Sequence, residues 1–306
     1  MDALPSPGTV QVHTHSVALA SFASQWSADP GPLIAAAIAL ALFTHGFIRL
    51  RRRGRRDHAS WDRAALFGLG VAVSVIPLVS PIDPLSDDYL LSVHMFEHVA
   101  LGDAGPALMV CAVRGPLLVF MLPGIVLRPL ARSARIRSGL GYLTRPRVSL
   151  AAWVFVMGAW HLPWVYDYAV AHQTVHDLEH LSFAIVGVLV WIQLIDPARH
   201  GRLRVPQRLL FALALFVFGQ VLADVLLLSL TPLYPHYADQ PIRVMGVSPL
   251  LDQRLAGFVM MIEQALSLGT CALVLHLSTR RHTAVARPSE ATPGRPAEKP
   301  TGRVIL

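Results

Sequence analysis

The chain has 306 residues, 54% of them hydrophobic and only 15% charged, with a formal net charge of +7. Soluble domains carry about 25% charged residues, so this composition excludes an ordinary soluble protein. Both cysteines lie within apolar runs, which gives no disulfide framework, and the basic residues sit between hydrophobic segments, which speaks against a nucleic-acid partner.

The first segment, residues 1–30, has neither a basic start nor a compact apolar stretch, so it reads as an extracytoplasmic segment rather than a signal peptide. Apolar stretches then follow at 31–50, 63–80, 90–113, 148–166, 176–196, 207–230 and 252–279. Runs of about 20 apolar residues cross a bilayer as helices, which predicts an all-α polytopic bundle of seven transmembrane helices over residues 31–279. With the N-terminus outside, 24 of the 26 Lys and Arg residues fall on the cytoplasmic side, leaving only Arg243 and Arg254 outside. The positive-inside rule selects that orientation and places the C-terminus in the cytoplasm. Within the 114–147 connection, "PLLVFMLPGIVL" is too short to span, and reads as an interfacial or re-entrant piece followed by a basic loop. Residues 280–306 are polar and Pro-rich and are expected to form a disordered cytoplasmic tail.

Five of the fourteen histidines stand out in this topology. "HMFEH" (94–98) opens the third span and "HDLEH" (176–180) opens the fifth, both entering from outside. The i, i+4 spacing puts His94 with His98 on one helix face and His176 with His180 on another, about 6 Å apart along each axis. His161 lies near the outer end of the fourth span, so these five are the expected metal ligands. Neutral imidazole suits copper, zinc, iron and nickel, so the residue type leaves the metal open. Ligating histidines usually donate their second N–H to a carboxylate or carbonyl, which makes Glu97, Glu179 and Asp224 candidates for orienting ligands or handling protons. Met95, Met260 and Met261 offer thioethers, although Met95 at helical spacing reads as a packing residue. Asp103 and Glu263 are buried acids inside spans, functional or packing in role.

H-x-x-E-H also marks some zinc peptidases. That chemistry needs one metal with an open position and one aimed carboxylate, whereas here two such words would sit on separate membrane helices. Histidines on facing helices could also bind haem as axial ligands of an electron carrier. A copper transporter is a further alternative, but it needs ligands across the whole membrane, and the inner half offers only His45, Cys111, Cys271 and His276.

The words "HMFEHVALGDAGPALMV", "WHLPWVYDYAV", "HDLEHLSFAIVGVLVW" and "LDQRLAGFVM" together resemble the CtaG-type integral-membrane assembly factors of caa-type cytochrome c oxidase. His94, Met95, His98 and Pro106 match the first family element, and Trp160, His161, Leu162 and Pro163 the second. Leu178, Glu179, His180 and Phe183 match the third, and Asp252, Gln253 and Gly257 the last, with the likeness covering residues 60 to 279. Glu97 stands where the family often has glutamine, and Asp103 where an apolar residue is expected. The resemblance implies a multi-pass protein of the bacterial plasma membrane that assists assembly of a haem–copper oxidase of the respiratory chain. It further implies copper as cargo, while the residues themselves leave zinc or haem open. The implied partners are the oxidase subunit carrying the copper–haem centre, a copper donor protein and the lipid bilayer. The expected role is non-enzymatic.

Overall fold

The computed structural model describes residues 15–17, 22–198 and 201–285. The expected tail beyond 285 and most of the first 21 residues lie outside the described residues.

The chain opens with the short strand β1 (His15–Val17) and helix α1 (Pro30–Arg52), where Asp29 caps the first turn by accepting from Gly31 N at 2.9 Å. Helix α2 (Trp61–Val79) leads through short α3 (Ile82–Asp88) into α4 (Leu91–Val99). A π-helical turn (Ala100–Ala104) joins α4 without a break to α5 (Gly105–Ala112), so residues 91–112 form one helical column. The 114–147 connection is helical rather than a loop, made of α6 (Pro116–Met121), α7 (Gly124–Arg132) and α8 (Ala134–Leu143). At six residues α6 is too short to cross a bilayer. It lies close against α1, where a Cβ on Gly46 would come within 2.7 Å of Met121 N.

Helices α9 (Pro146–Trp160) and α10 (Pro163–Val170) correct one expectation. Residues 148–166 are not one straight span, because the chain bends by 76° between the two helices. The cause is local: a residue before proline is pushed out of the helical region, and Leu162 adopts ψ 124° ahead of Pro163. Helix α11 (Gln173–Ile195) and helix α12 (Val205–Leu228) follow. Then come short α13 (Pro235–Ala238), strand β2 (Ile242–Val244) parallel to β1 in the register His15↔Ile242, and α14 (Pro249–Val285). Because α14 runs on to Val285, the boundary expected at 279 falls inside a helix.

Among the described residues, five segments are long and apolar enough to cross a membrane, and the bent α9–α10 pair makes a sixth if taken as one span. The exposed faces have the composition that lipid requires. Leu210, Leu213, Val217, Val221, Val225 and Leu228 form an exposed stripe along α12 at helical spacing. A continuous apolar face of this kind is untenable in water, and with several such helices the chain is a multi-pass membrane protein.

The arginine-bearing ends meet at one end of the bundle. Arg63 donates to the Arg114 carbonyl at 2.8 Å, Gly115 N to the Pro197 carbonyl at 2.8 Å, and Arg202 to the Thr144 carbonyl at 2.6 Å. The opposite end holds α3, α13 and the histidine-bearing starts of α4 and α11.

Candidate metal centre

The site depends on α4 and α11 entering side by side. The N-terminus of α4 has no side-chain cap of its own. Asp252 on α14 supplies one instead, accepting from Leu91 N at 2.6 Å, Ser92 N at 3.2 Å and Ser92 Oγ at 2.5 Å. A carboxylate here meets the unpaired N–H groups and the positive end of the helix dipole. The neighbouring Gln253 serves another helix end: its amide donates to the Leu226 carbonyl of α12, and its oxygen accepts from Leu233 N at 2.6 Å. A Cβ on Gly257 would approach the Ala223 carbonyl oxygen to 2.7 Å, so α14 lies against α12 only because that residue is glycine. The D-Q-x-x-x-G word is thus a set of structural clasps. Similarly, a Cβ on Gly187 would meet the Gly102 oxygen at 2.0 Å, and this contact seats α11 against the π turn just below the histidines.

Four imidazoles meet as a result. One ring nitrogen from each of His94, His98, His176 and His180 lies within 4.8 Å of the others. Ring centroids are 4.3 Å apart for His94–His98, 4.2 Å for His176–His180, 5.2 Å for His94–His176 and 5.4 Å for His98–His180. A metal–imidazole bond is about 2.1 Å, so ligands on one ion stand at most about 4.2 Å apart, and small rotamer changes close the set.

His94, 0% exposed, shows how the cluster is oriented. Its Nδ1 lies 3.3 Å from the Tyr237 hydroxyl and 3.4 Å from Asp87 Oδ1. Tyr237 uses its single proton on the Ser86 carbonyl at 2.8 Å, so at His94 it can only accept. Nδ1 therefore carries the hydrogen, and the Nε2 lone pair points at the cluster, 2.8 Å from His98 Nε2. A carboxylate that holds a histidine tautomer in this way is the usual companion of a metal ligand. Asp87 Oδ1 is also 3.8 Å from His176 Nε2. Burial pushes the Asp87 carboxyl up, but its bond to His94 and the nearby His176 and His180 hold it below its ordinary value. Burial raises the Tyr237 phenol well above its ordinary value, which keeps it neutral.

The cluster leaves buried polar atoms unsatisfied. His98 Nδ1, His176 Nε2, His180 Nε2 and both oxygens of Glu179 have no hydrogen-bond partner among the described residues. Such atoms normally find partners in folded proteins, and their concentration at one point fits a site built for an ion. Glu179 Oε1 lies 3.6 Å from His98 Nε2. Glu97 accepts from Ser86 Oγ at 2.5 Å and has an oxygen within 4.8 Å of ligand atoms of Asp87 and His94, which form a second ligand-type group that shares His94 with the first.

Two expected residues are not in the four-histidine group, although His161 lies close to it with a buried, unpartnered Nε2. His161 caps α9 and donates from Nδ1 to the Met157 carbonyl at 2.8 Å. The Phe183 ring, 4.6 Å from His98 and 6.5 Å from His161, lies beside both, and His161 is not in the four-histidine group. Asp224 is exposed on α12, beside Val221, Val225 and Leu228, and joins neither group of metal-ligand type. Met95 and Met260 lie in an apolar cluster with Leu91, Tyr166 and Tyr234. Sequence reasoning missed Asp87. Its only signal was the expectation of a carboxylate partner for a ligating histidine, and several acids nearby met that description.

A cavity of about 350 Å³ opens beside the cluster, and His176 and His180 form part of its wall. Its other polar residues include Asp29, Asp83, Asp87 and Asp177. Burial, with Asp87, Asp29 and Asp88 close by, raises the Asp83 carboxyl to about 7.

The model of one protein family, described as cytochrome c oxidase caa3 assembly factor, matches residues 41–282. No curated protein and no solved structure matches the chain. The matched region contains both histidine pairs, the bent α9–α10 segment and the α14 clasps, and on its extent the chain belongs to the caa3 cytochrome c oxidase assembly factor family.

Proposed function

We propose that this protein carries copper to the oxidase, holding Cu(I) at His94, His98, His176 and His180 and releasing it to the oxidase subunit that houses the copper–haem centre. The observation that carries this reading is the set of four imidazole nitrogens within 4.8 Å, surrounded by buried polar atoms without partners. Imidazole ligands suit copper and zinc alike, and the oxidase connection favours copper as the cargo. The rings touch one another, which suits a point-like ion better than a planar haem, whose axial ligands must stand on opposite faces of the macrocycle. Asp87 orients His94, and Glu179 offers its carboxylate beside His98.

In this reading the protein sits in the bacterial plasma membrane with seven spans. The 91–112 column and the bent α9–α10 pair each count as one. The arginine-rich end faces the cytoplasm, and the histidine end faces outward, where a copper donor protein would meet it. His161 lies behind Phe183 as a neighbouring imidazole outside the four-ligand set.

The test is copper content and affinity of the purified protein, wild type against His98→Ala/His180→Ala. Stoichiometric Cu(I) in the wild type, with at least a hundredfold loss of affinity in the folded double variant, is the expected result. A wild type that folds but retains no copper under reducing conditions rejects the reading. Retention of zinc instead changes the cargo and keeps the site.

A further inference from the structure

The cavity beside the histidines has two distinct sides. Leu78, Leu101, Leu181 and Ala184 supply apolar wall, while Asp29, Asp83, Asp87 and Asp177 supply four carboxyl groups. They come from three parts of the fold: Asp29 from the start of α1, Asp83 and Asp87 from α3, and Asp177 from the first turns of α11. Two have local hydrogen-bond roles, Asp29 with Gly31 N and Asp177 with Gln173 Nε2 at 3.0 Å; Asp177 is exposed and Asp29 half-buried.

An acidic surface does not by itself define a site. Here the same cavity is lined by His176, only 3% exposed, whose Nε2 has no hydrogen-bond partner. His180 lines it as well, again with an unpartnered Nε2. His94 and His98, at 0% and 5% exposure, are not part of its wall. The cavity therefore meets the α11 pair of imidazoles and leaves the α4 pair behind them.

We propose that this cavity is the cation port of the histidine site: its aspartates attract and hold the incoming metal ion, His176 and His180 receive it first, and His94 and His98 complete the set. The inference rests on the metal-holding reading above and adds a route and an order of ligand engagement. A cleft of one charge sign with low-dielectric walls concentrates counter-ions and speeds their capture by tenfold or more, an effect that salt suppresses. The port thus governs how fast the ion arrives, while the imidazoles govern how tightly it stays.

The test is the rate of Cu(I) loading from the cationic tetrakis(acetonitrile)copper(I) complex into the full-length protein in zwitterionic-lipid nanodiscs. Wild type is compared with Asp29→Asn/Asp177→Asn, which spares every histidine and Asp87, and in which asparagine preserves a helix cap. The expected result is loading slowed roughly tenfold at low salt, a difference that fades at high salt, and unchanged final stoichiometry. A second variant, Ala184→Phe, narrows the cavity without changing charge and should slow loading at every salt concentration. Wild-type rates in both variants overturn the port. Loss of stoichiometry in Asp29→Asn/Asp177→Asn also overturns it, by making those acids part of the site itself. A wild type that takes up no metal rejects the histidine site as well, so the two failures are distinct.

Discussion

Among the described residues, the histidine cluster and the buried acid Asp103 differ in how the fold satisfies their polar atoms. Near one end, His98, His176, His180 and Glu179 carry polar atoms that meet no partner. Deeper along the same helical column, Asp103 on the π turn accepts from the Trp191 indole and, at 2.8 Å, from Ser267 Oγ. The Asp103 layer ties the π turn to α11 and α14 and satisfies that acid from within the chain. The histidine layer holds its lone pairs ready for something outside the chain. The contrast holds for Asp103 itself; Glu263, one turn from Ser267 on α14, keeps one oxygen without a hydrogen-bond partner.

Three substitutions sharpen this contrast, beginning with the largest effect. Asp87→Asn removes the carboxylate that orients His94 and should weaken copper binding by about 10- to 100-fold while leaving the fold intact. Titration against a competing chelator reads this directly, and an unchanged affinity would remove Asp87 from the site. Asp103→Ala should do the reverse. It strands the Trp191 N–H and the Ser267 hydroxyl, costing about 1–3 kcal/mol of stability with copper affinity unchanged. Thermal unfolding of the detergent-solubilised protein, together with a copper titration, checks both halves, and a selective loss of affinity would break the comparison.

The smallest effect concerns pH. Asp83 has its carboxyl raised to about 7, so it is neutral below that pH and adds a negative charge to the cavity above it. Copper loading should accelerate a few-fold as pH rises through 7, and Asp83→Asn should reduce that dependence. The sign for stability is opposite. An acid whose folded pKa is raised favours the fold while protonated, so its contribution falls as pH climbs from about 4 to 7. Denaturation of wild type and Asp83→Asn at pH 5 and 8 separates the two effects, with the variant gaining relative to wild type at the higher pH.

Much of the site was legible because helical periodicity is a local property. The i, i+4 spacing alone pairs His94 with His98 and His176 with His180, and both pairs stand at the starts of apolar runs. The same reasoning placed His161 and Asp224 near that layer; His161 lies near it with a buried, unpartnered Nε2 but outside the four-histidine group, and Asp224 is exposed on α12. Leu162–Pro163 turns the chain by 76°, and Phe183 lies beside both His98 and His161. The rotation of α12, set by its contact with α14 at Gly257, leaves Asp224 exposed. Depth along a span can be counted from residues, but the direction a side chain faces depends on which neighbour the helix meets. The D-Q word was legible as a family signature, while its role as the cap of α4 and α12 emerged only when α14 lay beside both.

Composition and periodicity by themselves determined a polytopic helical membrane protein, its arginine-rich end and the two histidine pairs, because each follows from spacing and hydropathy along a single chain. Tertiary structure alone decided that the two pairs face each other, that Asp87 reaches His94 from α3, and that four aspartates surround one cavity. Those outcomes depend on close helix approach at Gly102, Gly187 and Gly257 and on capping across helices by Asp252. Contacts between distant segments are the part of a fold that local pattern does not encode.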